Sequence, residues 1–154
     1  MENSTKLKRA SSRKGSKVGF VEAFERGKGM AAKKILVIDD DKDFTKLLGF
    51  QLESKGYQVV ISNEGEEGFQ KILDEKPDLV LLDIKMPELD GFTFVRRLKA
   101  NGLISKIPVM ILTGYETMRD LFQFEGVAGY FVKGDNMGAL IKSMGDIFQA
   151  PEGT

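Results

Sequence analysis

A chain of 154 residues has room for one domain of ordinary size with a proper core, plus a tail, and none for a hidden second domain. It contains no cysteine and no histidine, which excludes disulfides, thiolate nucleophiles, zinc centres built on those residues and the usual general base, so any chemistry must rest on carboxylates, hydroxyls and amines. The net charge of zero conceals two unlike stretches: residues 1–29 carry eight Lys/Arg against three Glu, and residues 30–154 carry fifteen against twenty.

Residues 1–29 read as a basic leader and residues 30–154 as the folded domain. From Met1 to about Lys17 the single large apolar residue is Leu7, too little to offset the ordering entropy, and disorder is expected there. Val18, Phe20, Val21 and Phe24 could form a short docking helix before Gly27-Lys28-Gly29 ends it, and Lys8-Arg9-Ala10-Ser11 has the pattern of a basophilic kinase site. A plain solvated leader is the simpler reading. The apolar runs are far shorter than the roughly 20 residues of a membrane helix, so no membrane insertion is expected and the chain reads as soluble and cytoplasmic.

Ile35-Leu36-Val37-Ile38 is apolar at every position, as a strand buried on both faces should be, and runs straight into Asp39-Asp40-Asp41. Phe44, Leu47, Leu48 and Leu52 then follow helical spacing, with an acidic start at Asp41 or Asp43 and Gly56 beyond the end. Tyr57–Ser62 is a second strand, Glu64 to about Glu75 a helix on Phe69, Ile72 and Leu73, and Asp78–Asp83 a third strand ending on a carboxylate. Pro87 stiffens the loop after it, and Asp90-Gly91 is a turn pair that caps a helix on Phe92, Val95 and Leu98. Pro108–Leu112 is a fourth strand ending at Thr113, and Tyr130-Phe131-Val132 a fifth ending at Lys133. One short helix using Leu121 and Phe122 is expected between them, and Met137, Leu140, Ile141, Met144, Ile147 and Phe148 mark the last helix.

Five strands alternating with five helices predict an α/β fold, a doubly wound parallel sheet covered on both faces. Ligands bind such sheets beyond the carboxyl ends of the strands, where the strand order switches. Asp39, Asp40, Asp83, Thr113 and Lys133 all fall at predicted strand ends of that kind. Crowded carboxylates repel one another, and a hard divalent cation relieves this; magnesium, which favours oxygen and keeps several waters, would take Asp40 and Asp83 as direct ligands and Asp39 as an outer one. An Asp83 oxygen could then attack a phosphoryl group to form an acyl phosphate, with Lys133 as electrostatic partner. The Thr113 hydroxyl could donate to the new phosphoryl oxygen, a contact present only in the modified state.

With Ile38-Asp39-Asp40-Asp41, Leu82-Asp83, Met86-Pro87-Glu88-Leu89-Asp90-Gly91, Leu112-Thr113-Gly114 and Tyr130-Phe131-Val132-Lys133 in this order, roughly Lys33 to Gln149 resembles the receiver domain of bacterial two-component response regulators, the CheY type. The resemblance implies a flavodoxin-like sheet in the order 2-1-3-4-5. It also implies that Asp83 accepts phosphate from a histidine kinase or histidine phosphotransfer protein, that Asp39 and Asp40 hold magnesium with the Lys85 backbone carbonyl completing the site, and that Lys133 and Thr113 sense the phosphoryl group. Tyr130 would be the aromatic switch, and Lys85 and Tyr115 occupy positions that tune hydrolysis. The downstream partner would be a protein target or an output domain not in this chain, with a phosphorylation-dependent homodimer as one form; no direct DNA contact is expected from residues 30–154.

Two departures from the family stand out: Gly134 where proline is usual, so that no cis peptide is expected, and a slightly short Thr113–Tyr130 segment. Two rival readings exist. Asp41-Lys42-Asp43-Phe44-Thr45 spells the signature of aspartyl-phosphate phosphatases, but Asp39, not Asp41, directly follows the strand. A receiver-like docking module that is never phosphorylated would not require the acidic set.

Overall fold

The computed structural model of the chain describes residues 32–149. The expectations for the basic leader, its docking helix and its kinase-type site fall outside the described residues. Strands β1 (Lys34–Ile38) and β3 (Leu79–Leu82) occupy the middle of the sheet, and Ile35, Leu36, Ile38, Leu79, Val80 and Leu82 are wholly buried. Such runs have no polar face to turn toward water, so they need covering layers on both sides. β2 (Gln58–Ser62), β4 (Val109–Thr113) and β5 (Gly129–Val132) complete five parallel strands in the order β2-β1-β3-β4-β5, as the resemblance implied.

The covering helices begin where the sequence places caps. α1 (Lys42–Glu53) starts at Asp41, whose side chain accepts from the Phe44 N–H at 3.0 Å. α3 (Gly91–Ala100) starts at Asp90, which accepts from the Thr93 N–H at 2.8 Å. Each cap satisfies an N–H that the first helical turn leaves orphaned, worth about 1 kcal/mol. α2 (Gly65–Glu75) and α4 (Met137–Gln149) complete the set. Alternation along the strands sends Leu36, Ile38, Val80, Leu82 and Ile111 to one face, beneath α2, α3 and a 3₁₀ helix at Glu116–Phe122. Ile35, Val37, Leu79, Leu81, Met110 and Leu112 face α1 and α4.

Three residues assigned to the core by periodicity lie outside it: Leu47, Leu73 and Leu121 are 58%, 47% and 51% exposed. In α1 the buried set is Thr45, Leu48, Gly49 and Leu52, so small side chains bring the helix onto the sheet and rotate Leu47 outward. α2 does the same through Gly68, where a Cβ would come within 2.7 Å of Ile38 Cδ1. An apolar count overlooks such contacts, because the residues that permit them carry little hydrophobic surface. The short helix before β5 is 3₁₀ rather than α, and it buries Phe122 while exposing Leu121. With three residues per turn, residues i and i+3 share a face, so Arg119 and Phe122 both turn toward β5.

The loop after β3 is held tightly. The Gly91 N–H donates to the Ile84 carbonyl at 2.7 Å, and a Cβ at Gly91 would lie 2.5 Å from the Asp83 carbonyl oxygen. Gly91→Ala is therefore expected to force a backbone shift and cost about 1–3 kcal/mol, whereas Gly114→Ala, with nothing within 4 Å of its Cβ, should be near neutral. Urea unfolding of the two variants checks this, and equal stabilities would refute the close approach at Gly91.

Candidate functional site

Ile38 pairs with Leu82, so Asp39 and Asp83 emerge level with each other at the ends of adjacent strands. β2 follows β1 on one side and β3 on the other, which makes this the switch in strand order where a crevice opens. The Asp83 N–H donates to the Ile38 carbonyl and the Asp39 N–H to the Ser62 carbonyl, both at 3.0 Å, so the sheet itself sets both backbone positions. Carboxylate oxygens of Asp39, Asp40 and Asp83 all lie within 4.8 Å of one another. Asp39 and Asp83 are buried, whereas Asp40 is exposed.

Lys133 closes the rim from β5. Its N–H donates to the Thr113 carbonyl at 2.6 Å, and its ammonium lies 2.6 Å from Asp39 Oδ2 and 3.5 Å from Asp83 Oδ2. The same ammonium stands 4.4 Å from the centroid of the Phe44 ring. Burial pushes the Asp39 carboxyl up to about 6; the bonds from Lys133 and the Asp41 N–H pull against this, and the neighbouring Asp83 charge adds to it. Burial alone would lower the Lys133 ammonium, but the bond to Asp39 and the two carboxylate charges outweigh it and hold it above its ordinary value. Gly134 follows with φ at +92°, a turn that its lack of a side chain permits, and no peptide bond in the described residues is cis.

Asp83 Oδ1 accepts from the Ile84 N–H at 2.8 Å. Thr113 is completely buried, and its Oγ1 is the one buried side-chain polar atom among the described residues without a hydrogen-bond partner. Leaving such a hydroxyl unpaired costs about 1–3 kcal/mol, so it is a group a ligand oxygen could satisfy. Behind it, Tyr130 is 9% exposed, and its hydroxyl donates to the Tyr115 carbonyl. The exposed Lys85 holds its ammonium 5.2 Å from the Tyr115 ring centroid, and among the described residues its backbone carbonyl accepts no hydrogen bond. The donor set suits magnesium: the crowded carboxylates supply oxygen alone, and the exposed Asp40 leaves a side open for water.

The structure thus gathers Asp39, Asp40, Asp83, Thr113 and Lys133 at one rim, with Tyr130 in the layer behind. Asp41 is occupied as the cap of α1 and Asp43 lies exposed in its first turn, so the phosphatase-like spelling belongs to a helix start. Three contributors escaped the sequence reading: Phe44 beneath the Lys133 ammonium, Arg119 at Tyr130, and Asn63. Asn63 Nδ2 donates to the Asp39 carbonyl at 2.7 Å and to Thr45 Oγ1 at 3.2 Å. Its place one residue beyond β2 is the same strand-end signal that marked the acids.

Residues 35–144 match the family described as response regulator receiver domain. The alkaline phosphatase synthesis transcriptional regulatory protein PhoP of Bacillus subtilis (strain 168) is 36% identical over 104 residues, which cover 68% of this chain and 40% of that protein. The DNA-binding dual master transcriptional regulator RpaA of a Synechocystis strain is 37% identical over 90 residues, or 58% of this chain and 37% of that one. The chain therefore spans less than half the length of these two relatives. Among solved structures, the response regulator TrrA from Thermotoga maritima in complex with Mg2+-BeF superimposes with a TM-score of 0.69 at 29% identity, covering 75% of this chain and 98% of that one. The BeF3-activated N-terminal receiver domain of Klebsiella pneumoniae RstA gives a TM-score of 0.70 at 28% identity, covering 76% and 99%. The sheet order, the acidic rim and a family match over most of the described residues lead to one conclusion: this chain belongs to the response regulator receiver domain family of two-component systems.

Proposed function

We propose that this receiver works by phosphorylation of Asp83, which takes the phosphoryl group from a phosphohistidine of a histidine kinase or histidine phosphotransfer protein. The observation that carries this reading is the convergence at one rim of three carboxylates within 4.8 Å, the Lys133 ammonium and the unpartnered, buried Thr113 hydroxyl. An Asp83 oxygen forms the new bond to phosphorus as the bond from phosphorus to the donor imidazole breaks, and the electron pair leaves on the imidazole nitrogen. Asp40 and Asp83 would hold magnesium, with Asp39 and the Lys85 carbonyl as supporting ligands. Magnesium, when bound, neutralises charge on the transferring oxygens. Lys133 leans between Asp39 and Asp83 and is placed to pair with a phosphoryl oxygen instead. Thr113 Oγ1 then gains the hydrogen bond it lacks, and Thr113 with Tyr130 passes the change to the surface that a partner reads.

The signal leaves through an output domain or a separate protein, with a phosphorylation-dependent homodimer as one route, and the domain operates in the cytoplasm. Among the described residues no helix is long and apolar enough to cross a membrane. PhoP and RpaA carry transcriptional and DNA-binding descriptions; contact with DNA is assigned here to another domain or protein rather than to residues 30–154. The acyl phosphate is slowly hydrolysed at the same site, and the Tyr115 ring beside Lys85 limits water access.

Incubation with magnesium and a small acyl-phosphate donor should add one phosphoryl group to the wild type and none to Asp83→Asn by intact mass; a gain in both would move the acceptor elsewhere. Asp39 adds a pH dependence. Its folded value of about 6 lies above the ordinary 3.8, so without metal it favours the folded state most when protonated. That contribution grows as pH falls through 6 and is lost as pH rises past it. Magnesium needs the ionised form, so its affinity should fall progressively as pH drops from 7.5 to 5, as a titration followed by amide shifts would report; an affinity independent of pH across that window would remove Asp39 from the site. Tyr115→Ala should shorten the acyl-phosphate lifetime severalfold, and an unchanged lifetime would end the shielding role.

A further inference from the structure

The surface between the 3₁₀ helix and β5 carries a contact set that the phosphoacceptor chemistry does not use. Arg119 donates two hydrogen bonds to Glu116, from Nε to Oε2 at 2.9 Å and from Nη2 to Oε1 at 3.0 Å. Its remaining terminal nitrogen, Nη1, donates to the backbone carbonyl of Tyr130 at 3.1 Å. The guanidinium carbon, Cζ, lies over the Tyr130 ring, 4.7 Å from its centroid. One side chain therefore grips Tyr130 by its backbone and its ring together, while Glu116 orients the fork.

The setting makes this grip consequential. β5 is an edge strand, paired with β4 alone, so its outer side has no neighbouring strand to take its backbone groups, and Arg119 supplies a donor at Tyr130. Phe122, one 3₁₀ turn beyond Arg119, packs on the other part of the ring with centroids 5.8 Å apart. The hydroxyl end is held by the Tyr115 carbonyl, at the start of the same helix. Ring, backbone and hydroxyl of Tyr130 are thus all tied to residues 115–122, and none of these contacts involves Asp83.

We infer that Arg119 is a positioning residue for Tyr130, holding its ring in the buried orientation independently of any group on Asp83 and so presetting the equilibrium that phosphorylation biases. The inference rests on the switch role proposed above for Tyr130. A planar fork suits the task and an ammonium does not, because lysine cannot bind Glu116 bidentately, reach the carbonyl and cover the ring at once. Linkage makes the coupling reciprocal: if Arg119 and the phosphorylated state favour the same ring position, losing Arg119 must weaken binding of a phosphoryl mimic.

The test uses the full chain with 3-fluorotyrosine at its three tyrosines, the Tyr130 signal being assigned through Tyr130→Phe. Broadening by a soluble paramagnetic agent reports ring exposure, and Mg2+ with beryllium fluoride is the phosphoryl mimic. In the wild type the Tyr130 signal should be protected. In Arg119→Ala and Arg119→Lys it should broaden, and affinity for the mimic should fall by about fivefold or more. The Arg119 side chain is 47% exposed, so both variants should fold, and a thermal midpoint near the wild-type value separates positioning from general destabilisation. A Tyr130 ring as protected in Arg119→Ala as in wild type overturns the inference, as does unchanged affinity for the mimic. Wild-type behaviour of Arg119→Lys overturns the role given to the fork. If the wild type does not respond to the mimic at all, the proposed phosphoacceptor function fails, and ring exposure measured without it still decides whether Arg119 holds Tyr130.

Discussion

Two carboxylates buried at the end of a parallel sheet are the constraint on which the rest of this structure depends. Removing a charge from water is costly, and two of the same sign side by side cost more, so Asp39 and Asp83 require a cation within reach. Lys133 meets that need from the far strand, 2.6 Å from one and 3.5 Å from the other. The hydrogen bond from its N–H to the Thr113 carbonyl keeps the end of β5 beside β4, and the Phe44 ring bounds the ammonium on another side. Burial holds the Asp39 carboxyl above its ordinary value, against the pull of the Lys133 ammonium. With the carboxylate oxygens of Asp39, Asp40 and Asp83 all within 4.8 Å of one another, the rim has the oxygen donors that the magnesium site proposed above requires.

The same economy of partners appears at Thr113 and Tyr130. Thr113 is buried without a hydrogen-bond partner, while Tyr130, on the next strand, is held at its hydroxyl, its ring and its carbonyl. In the mechanism proposed above, Thr113 is the member with a hydrogen bond to gain and Tyr130 the member with a position to change. Coupling of the proposed kind needs two discrete arrangements rather than a continuous path, and the 3₁₀ helix of seven residues, anchored by the buried Phe122, is the element whose contacts meet Tyr130.

Much of this was legible in the sequence for a simple reason. Ile35–Ile38 and Leu79–Leu82 are apolar without interruption, which suits a strand covered on both faces, and each stops at a carboxylate. Strand direction then places Asp39, Asp83, Thr113 and Lys133 at one rim from the sequence alone. The misplacements share a cause. Leu47 and Leu73 read as core because they are apolar at helical spacing, yet Thr45, Gly49 and Gly68 decide which face of each helix approaches the sheet. Leu121 departs from its expected core position because a 3₁₀ turn rotates about 120° per residue where an α-helix rotates about 100°, a difference local composition does not reveal.

By itself the sequence determined the number of strands and their places along the chain, the cap at Asp90, and the set of polar residues at the strand ends, because these follow from local periodicity and from where apolar runs stop; the order of strands in the sheet came only from the resemblance to the receiver family. The tertiary structure alone decided which of those polar groups touch. Lys133 sits on Asp39 more closely than on Asp83, Phe44 turns its ring to that ammonium, and Arg119 reaches across to the carbonyl and ring of Tyr130. Such pairings join residues far apart in the chain, and their geometry depends on helix rotation and side-chain reach, quantities fixed only when the layers pack together.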